Sequence, residues 1–404
     1  MMMPFKHVFV ILFVFLFIFS CTENVPISPL TQTSQGLEGE TFATDAEEGS
    51  RAVVKVMTYN IYVGANVDKV LTATDIVDLS QKVAAAYDTV YLTKFWERAQ
   101  SIAKLIKKHR PHLIGIQEAS LIQLINPATG VVEEELDYLQ ILMDELAAQN
   151  LNYQVAESIQ NFDQMLPRFL NFIPPATLEF DLVRLVDSDV ILVRNGVQYT
   201  NPIKGNYTEF LSVPVPTQPP SSIDIPRGYV SVEAKVGKKS YRFINTHLEA
   251  FTEDKRLPQA QELCAIFAGE TSPIIMVGDF NTLDPTYPNP FADTTYNYIT
   301  KSGGFTDTWV HNLKGNQGAG YTSPFSAALL DPYPDLYQRI DLIFAKNFQA
   351  PIGPVQAEVI GTHFKDRTSS GLWPSDHASV VAQLHLREMS NLVQNEIVIA
   401  EVQE

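Results

Sequence analysis

Apolar positions along this chain fall into short blocks, and several blocks end on a polar group. Leu113-Ile114-Gly115-Ile116 runs into Gln117-Glu118, and Tyr241-Arg242-Phe243-Ile244 runs into Asn245-Thr246-His247-Leu248. Ile274-Ile275-Met276-Val277 runs into Gly278-Asp279-Phe280-Asn281. Arg339-Ile340-Asp341 opens Leu342-Ile343-Phe344, and Ser375-Asp376-His377 precedes Val380-Val381. Short β-branched and aromatic runs of this kind read as strands. Near the start, Val54, Val56, Thr58 and Asn60 alternate with Lys55, Met57 and Tyr59, which predicts a strand from Val53 to Asn60. Strands that each deliver polar groups at one end describe a single site at the rim of a sheet core.

The segments between these strands add helices and excursions. Trp96 to Lys108 carries Ile102, Leu105 and Ile106 among lysines and an arginine, an amphipathic helix that Pro111 stops. Leu136 to Ala148 and Leu257 to Ala268 read as further helices, and Ala65 to Tyr91 as a mostly helical insertion. Asn161 to Ala176 is expected to be a loop or lid-like insertion, Val183 to Arg194 a strand, and proline-heavy Pro202 to Pro226 a surface excursion. Tyr229–Val236 and Tyr241–Thr246 flank Gly237-Lys238-Lys239 as a hairpin. Mixed hairpins and helix–strand units, with helices flanking the core strands, predict an α/β sandwich of two mixed sheets face to face.

The ends of the chain are different in kind. Val8 to Phe19 is an unbroken apolar run behind Lys6 and His7, too short for a comfortable membrane span, so residues 1–20 are expected to be a signal peptide. Ile18-Phe19-Ser20-Cys21 resembles a bacterial lipoprotein cleavage box; Ser20 fits it and bulky Phe19 departs from it. That resemblance implies lipidation at Cys21, attachment to a membrane, and a cell-envelope protein; ordinary secretion is the other reading. Residues 21–51, rich in Thr, Ser, Gln, Gly and acids, read as a flexible tether. The catalytic domain is expected over 52–388, with 389–404 a peripheral tail. The only other cysteine, Cys264, lies in an apolar helical pattern and reads as a small core residue.

The chain has 404 residues and a net charge of −17. Binding to a long nucleic acid draws on neutralising phosphates with basic side chains, so this balance disfavours such a partner. No basic stripe interleaved with aromatics marks a nucleic-acid groove.

The candidate chemistry lies in carboxylates, amides and two histidines, with no serine or cysteine nucleophile among them. That mix suits a hard divalent cation and a phosphate ester. Taken one at a time the signals are weak. Glu118 alone is an exposed strand-end glutamate, and Asn60 alone a turn residue. Gly278-Asp279-Phe280-Asn281 alone is an Asx turn; alternation in an extended segment would instead put Asp279 and Asn281 on one side, one to orient or deprotonate a water and one to hold a phosphoryl oxygen. His247 and His377 alone are structural histidines, although Asp376 and Asp341 are both candidates to orient His377.

Taken together, Asn60-Ile61, Gln117-Glu118, Asn245-Thr246-His247-Leu248, Gly278-Asp279-Phe280-Asn281, Arg339-Ile340-Asp341 and Ser375-Asp376-His377 resemble, in this order over about residues 53–388, the endonuclease/exonuclease/phosphatase superfamily. This family includes pancreatic-type deoxyribonucleases, apurinic endonucleases, inositol-polyphosphate phosphatases and neutral sphingomyelinases. The resemblance implies a four-layer α/β sandwich and a phosphoesterase dependent on Mg2+, with Mn2+ or Ca2+ as the other candidates. It implies that Glu118 binds the metal, with Asn60 and Asp376 at the metal site. Asp279 would position or activate the attacking water, Asn281 would contact the phosphate, and His247 would stabilise the phosphoryl group. His377 would be the second phosphate-facing histidine, oriented by Asp341.

For the substrate, the leading expectation is a small-molecule or lipid phosphoester, handled by a monomer. The segment Asn245 to Ala250, followed by Arg256 and Gln259, looks more like secreted bacterial and sphingomyelinase-like members than the apurinic enzymes. The insertions at 65–91 and 161–226 are the expected specificity elements; their aromatics Phe162, Phe169, Phe172, Tyr207 and Phe210 either meet a ligand or pack under their own loops. A secreted or surface nuclease and an inactive surface binding protein on the same scaffold are the competing readings.

Overall fold

The computed structural model describes residues 53–173, 177–215, 221–283, 294–313, 318–348 and 355–385. The expected signal peptide, Cys21, the tether and the tail at 389–404 lie outside the described residues. Strand β1 (Val53–Asn60) is followed by helices α1 (Ile76–Leu92) and α2 (Phe95–His109), then strand β2 (Leu113–Gln117). A hairpin of β3 (Leu121–Ile125) and β4 (Val132–Asp137) leads into helix α3 (Tyr138–Ala148). The long strands β5 (Tyr153–Ile173) and β6 (Thr177–Arg194) come next, then β7 (Gln198–Asn206), β8 (Leu211–Val215) and β9 (Ser221–Ile225). The second half holds β10 (Gly228–Val236), β11 (Lys239–His247), helix α4 (Glu253–Ile266), β12 (Ile274–Asp279), β13 (Thr306–Asp307), β14 (Asp341–Lys346), β15 (Val355–Ile360) and β16 (Ser379–His385).

Two mixed sheets result. One runs β15-β16-β1-β2-β6-β3-β4, with β5 also pairing β6; the other runs β13-β14-β12-β11-β10-β7, and β8 and β9 pair separately. Each sheet has a parallel pair at its heart, β1 with β2 and β11 with β12, flanked by an antiparallel strand, β16 or β14. Parallel neighbours end on the same side, so Asn60 lies opposite Gln117, and His247 opposite Asp279. The antiparallel β14 starts where β12 ends, which sets Asp341 opposite Asp279.

The layers follow from which face each strand buries. Val54, Val56, Leu113 and Ile191 of the first sheet meet Val232, Phe243, Ile275 and Val277 of the second in a core between the sheets. The opposite face of the first sheet, with Met57, Tyr59 and Ile114, packs on Ile102 and Ile106 of α2 and Leu142 and Leu146 of α3. Ile244, Ile274 and Met276 pack outward on Leu263 and Cys264 of α4, so Cys264 is a buried core residue as its pattern predicts. This is the expected four-layer sandwich. Close approach of the sheets needs Gly115: a Cβ there would meet Asn245 Oδ1 at 2.5 Å. Asn245 bridges the sheets in that space, accepting from Gln117 Nε2 (2.6 Å) and donating to the carbonyls of Ile116 (2.9 Å) and Val190 (3.0 Å).

Two sequence expectations are corrected. The segment from Asn161 is not a loop: its described part to Ile173 continues β5 and pairs β6, with shifts of register between Gln160 and Phe162 and between Phe169 and Asn171. The reason lies in its period-two pattern, with Phe162, Gln164 and Leu166 more buried than Asp163 and Met165 between them. The proline-heavy stretch likewise begins inside β7, paired with β10 to Asn206, and contributes the β8–β9 ribbon. The β3–β4 hairpin was not foreseen, because Glu133, Glu134 and Glu135 mask its alternation.

Candidate active site

The ends of both parallel pairs meet in one cluster. Asn60 is buried at the end of β1, and its Oδ1 accepts the Tyr62 N–H at 3.0 Å. That fixes the amide, so Nδ2 donates to Glu118 Oε1 beside it (2.8 Å) and across the sheets to Asp279 Oδ2 (3.1 Å). Glu118 stands at φ +58°, in the left-handed region, directly after β2. The turn aims its carboxylate at the cleft, where Oε2 accepts the Val63 N–H at 2.7 Å. Ser375 Oγ donates to the Asn60 carbonyl at 2.7 Å and accepts the His377 N–H at 3.2 Å, tying the segment before β16 to the end of β1.

Asp279 is the hub. Its Oδ2 lies 3.6 Å from His247 Nε2 and 3.8 Å from His377 Nε2. His377 Nδ1 lies 2.8 Å from Asp341 Oδ2, and the other oxygen of Asp341 is buried without a hydrogen-bond partner among the described residues. Burial, and then the neighbouring charge of Asp341, push the Asp279 carboxyl up to about 7. Burial opposes charge on His377, but Asp341 and Asp279 outweigh it and raise the imidazole well above its ordinary value. His377 is therefore an imidazolium that donates Nδ1–H to Asp341 and presents Nε2–H to the cleft.

His247 behaves in the opposite way. Burial first, then Arg227 and His377, hold it well below its ordinary value, so it is neutral. Arg227 Nη1 lies 3.2 Å from His247 Nδ1. A guanidinium can only donate, so Nδ1 accepts and the single imidazole proton sits on Nε2, facing Asp279. Two N–H donors, one charged and one neutral, thus flank one carboxylate, an arrangement suited to holding phosphoryl oxygens while that carboxylate handles a proton.

Asn281 departs from the expected extended geometry. It stands at φ +49°, and its N–H donates to Asp279 Oδ1 at 3.0 Å, so the segment closes as a turn. Its Nδ2 donates to the Leu248 carbonyl at 3.0 Å, and both Asp279 and Asn281 still line the same cavity. Asp376 is half-buried beside His377. Burial, and then repulsion from Glu118 against the pull of His377, raise it to about 7. Two residues of the site were not foreseen. Arg227 precedes β10, whose Gly228 pairs with His247, so the register was the available signal. Asp187 lies on β6 facing the cavity, where burial and then Glu118 raise it to about 7; two aspartates, Asp187 and Asp189, inside a hydrophobic strand were the signal.

These donors fit a hard divalent cation. Asp341 keeps one buried oxygen without a hydrogen-bond partner among the described residues, and the carboxylates of Glu118 and Asp376 repel each other across the cleft. A cation would relieve that repulsion.

Residues 57–377 match the model of the endonuclease/exonuclease/phosphatase family. No curated protein sequence matches the chain. Among solved structures, the chain is similar to a mannosyl-6-phosphatase from Bacteroides thetaiotaomicron, with 17% identity, a TM-score of 0.48, and coverage of 81% of this chain and 98% of that one. A family protein from Leptotrichia buccalis is 18% identical, with a TM-score of 0.47 and coverage of 83% and 100%. TDP2 from D. rerio, solved with a single-strand DNA product, is 14% identical, with a TM-score of 0.45 and coverage of 82% and 98%.

Proposed function

This chain belongs to the endonuclease/exonuclease/phosphatase family and is a metal-dependent phosphoric ester hydrolase, and from that premise we propose that it hydrolyses a small-molecule or lipid phosphoester with Mg2+. The observation that carries the reading is the convergence on Asp279 Oδ2 of Asn60 at 3.1 Å, His247 at 3.6 Å and His377 at 3.8 Å. Glu118, with Asn60 and Asp376, would hold the cation. Bound there, it would polarise the phosphoryl oxygens and offset the charge that grows on them.

The protein's own groups do the rest. Asp279 orients the attacking water and takes its proton; a carboxyl pushed up towards neutrality suits a general base. His247 and His377 each donate Nε2–H to the phosphoryl group, and Asp341 holds the His377 ring. Asn281, anchored on the Leu248 carbonyl, borders the cavity where the phosphate would lie. Water attacks directly, so no side-chain nucleophile is required.

Charge argues for the small or lipid ester over a nucleic acid. Arg227 is the only arginine or lysine among the described residues lining the cavity, and the chain carries −17 overall. A polynucleotide backbone would call for a track of cations. We also place the protein in the cell envelope, on the resemblance of Ile18 to Cys21 to a lipoprotein cleavage box. The test is hydrolysis of sphingomyelin, phosphatidylinositol phosphates, plasmid DNA, RNA and a chromogenic phosphodiester, with and without Mg2+, and with His377→Ala as control. Metal-dependent turnover lost in the variant is expected; preference for DNA or RNA would favour the nuclease reading, and no turnover the binding-protein reading.

A further inference from the structure

Away from its catalytic end the cavity at the active site is largely apolar, with Asp68, Tyr87 and Gln164 the polar side chains among the described lining residues there. It measures about 280 Å3, and Glu118, Asp187, Arg227, His247, Asp279 and His377 bound its catalytic end. The remainder is walled by side chains presented at regular spacing. Helix α1 offers Val83, Ala86 and Val90, three and four residues apart and so on one face. Strand β6 offers Val183 and Leu185 on the same side as Asp187, and β9 offers Ile223 and Ile225.

These walls are not simply a collapsed core. Val83 packs with Leu166 and Val183, and Ile223 and Ile225 pack with Phe162 and Leu166, yet space remains between the two groups. The same space reaches Asp279 and His377. An apolar room opening onto a phosphoryl site, with one guanidinium at the threshold, matches a ligand with one phosphate and an apolar remainder. It opposes inositol polyphosphates and sugar phosphates, whose charged or hydroxyl groups would lose hydration against Val83, Val183 and Ile223 without a partner.

We propose that this compartment seats the organic group of the substrate, so that the enzyme acts on phosphate esters carrying a single phosphate and a compact apolar group, an alkyl chain or a ring. The proposal rests on the phosphoesterase reading for the reaction but not for the binding, and binding can be measured without turnover. The shared chemistry, an apolar group on a phosphate, has two sources: a soluble ester or a membrane lipid.

The experiment is calorimetric titration of the full-length protein in Mg2+ with methylphosphonate, butylphosphonate and hexylphosphonate, which are not hydrolysed. Each methylene moved from water onto the apolar wall strengthens binding by about two- to fourfold, so the five that separate hexylphosphonate from methylphosphonate should tighten binding roughly 30- to 1,000-fold. Ala86→Phe, which fills the room, should erase that gradient. Val183→Thr, nearly the same volume but polar, should weaken it, and covers the case in which the phenylalanine variant does not fold. Vesicles of phosphatidylcholine with phosphatidic acid are then added as competitor. Displacement of hexylphosphonate by them, and not by phosphatidylcholine alone, assigns the compartment to lipid; no displacement assigns it to a soluble ester. Equal affinity for all three phosphonates, or a gradient untouched by both variants, overturns the proposal, and leaves the phosphoesterase reading standing if His377-dependent turnover is present.

Discussion

His377 Nδ1 and Asp341 Oδ2 lie 2.8 Å apart, both side chains buried, one from the segment before β16 and the other from the first residue of β14. The contact joins the two sheets at the cleft and fixes which nitrogen of His377 faces the phosphoryl group. Asp341→Asn should keep the fold but lose the negative charge that holds the proton on Nδ1, and its amide N–H can donate to that nitrogen and favour the other tautomer. By analogy with carboxylates that orient catalytic histidines, kcat should fall by roughly 10²- to 10⁴-fold with little change in KM. Steady-state kinetics check this; a kcat within about twofold of wild type would remove Asp341 from the positioning role.

Glu118 should govern metal affinity rather than folding. Its carboxylate is held by Asn60 and the Val63 N–H at the end of β2, so Glu118→Gln keeps the shape and loses the charge. Chelation should stop turnover in the wild type, and Mg2+ should restore it. In Glu118→Gln the Mg2+ concentration for half-maximal activity should rise at least about tenfold, a loss seen even for outer-shell partners of a metal. A second readout is thermal: Mg2+ should raise the melting temperature of the wild type more than that of the variant. An unchanged Mg2+ requirement would place the ion on Asp279 and Asp341 instead.

Most of the site was legible because each residue sits at the end of an apolar strand, and parallel pairing brings such ends together. Asn60, His247, Asp279 and Asp341 are end residues of paired strands, with Glu118 directly after β2 and His377 two residues before β16. Arg227 carries no such mark: it sits between the proline-heavy segment and its strand, where a lone arginine reads as a surface residue, and only the pairing of Gly228 with His247 brings it to the cleft. Of the two readings of Gly278-Asp279-Phe280-Asn281, the structure takes the Asx turn over the extended segment, and alternation could not choose because the positive φ of Asn281 leaves no mark in it. The outer part of β5 from Asn161 reads as a loop, unlike β6 from Val183, because its polar and proline residues, such as Asp163, Gln164 and Pro167, hide a period of two that only its partner strand makes plain.

Stability should fall on acidification through His109. This last residue of α2 is buried, and burial, then Lys108 and Lys55, lower its pKa to about 3. The unfolded chain would titrate it near the ordinary histidine value of about 6.5. Between those values the unfolded state binds the extra proton, so its contribution is complete above about 6.5 and is lost as pH falls, by at most about 1.4 kcal/mol per unit. Urea unfolding at pH 7 and pH 5 should show wild type losing about 2 kcal/mol more than His109→Gln over that interval. Equal losses would mean that His109 does not resist protonation in the folded state.

Arg98 should couple stability to catalysis. It is fully buried on α2, and its guanidinium donates to four carbonyls: Thr93 (2.9 Å), Ile61 (2.7 Å), Tyr62 (3.0 Å) and Pro374 (3.1 Å). Ile61 and Tyr62 follow Asn60, and Pro374 precedes Ser375-Asp376-His377, so one side chain sets the spacing between two of the segments that form the cleft. Arg98→Met keeps much of the apolar stem but strips the donors from buried carbonyls, which should cost about 3 kcal/mol or more. Arg98→Lys should recover little, since one ammonium cannot match a planar fork spread over four acceptors. The surviving folded enzyme should also show a lower kcat that added Mg2+ does not restore, because His377 rather than the ion has shifted. Urea unfolding together with kinetics at saturating Mg2+ separates the two effects. Wild-type kcat in a destabilised Arg98→Met protein would confine Arg98 to the core and uncouple it from the geometry of the site.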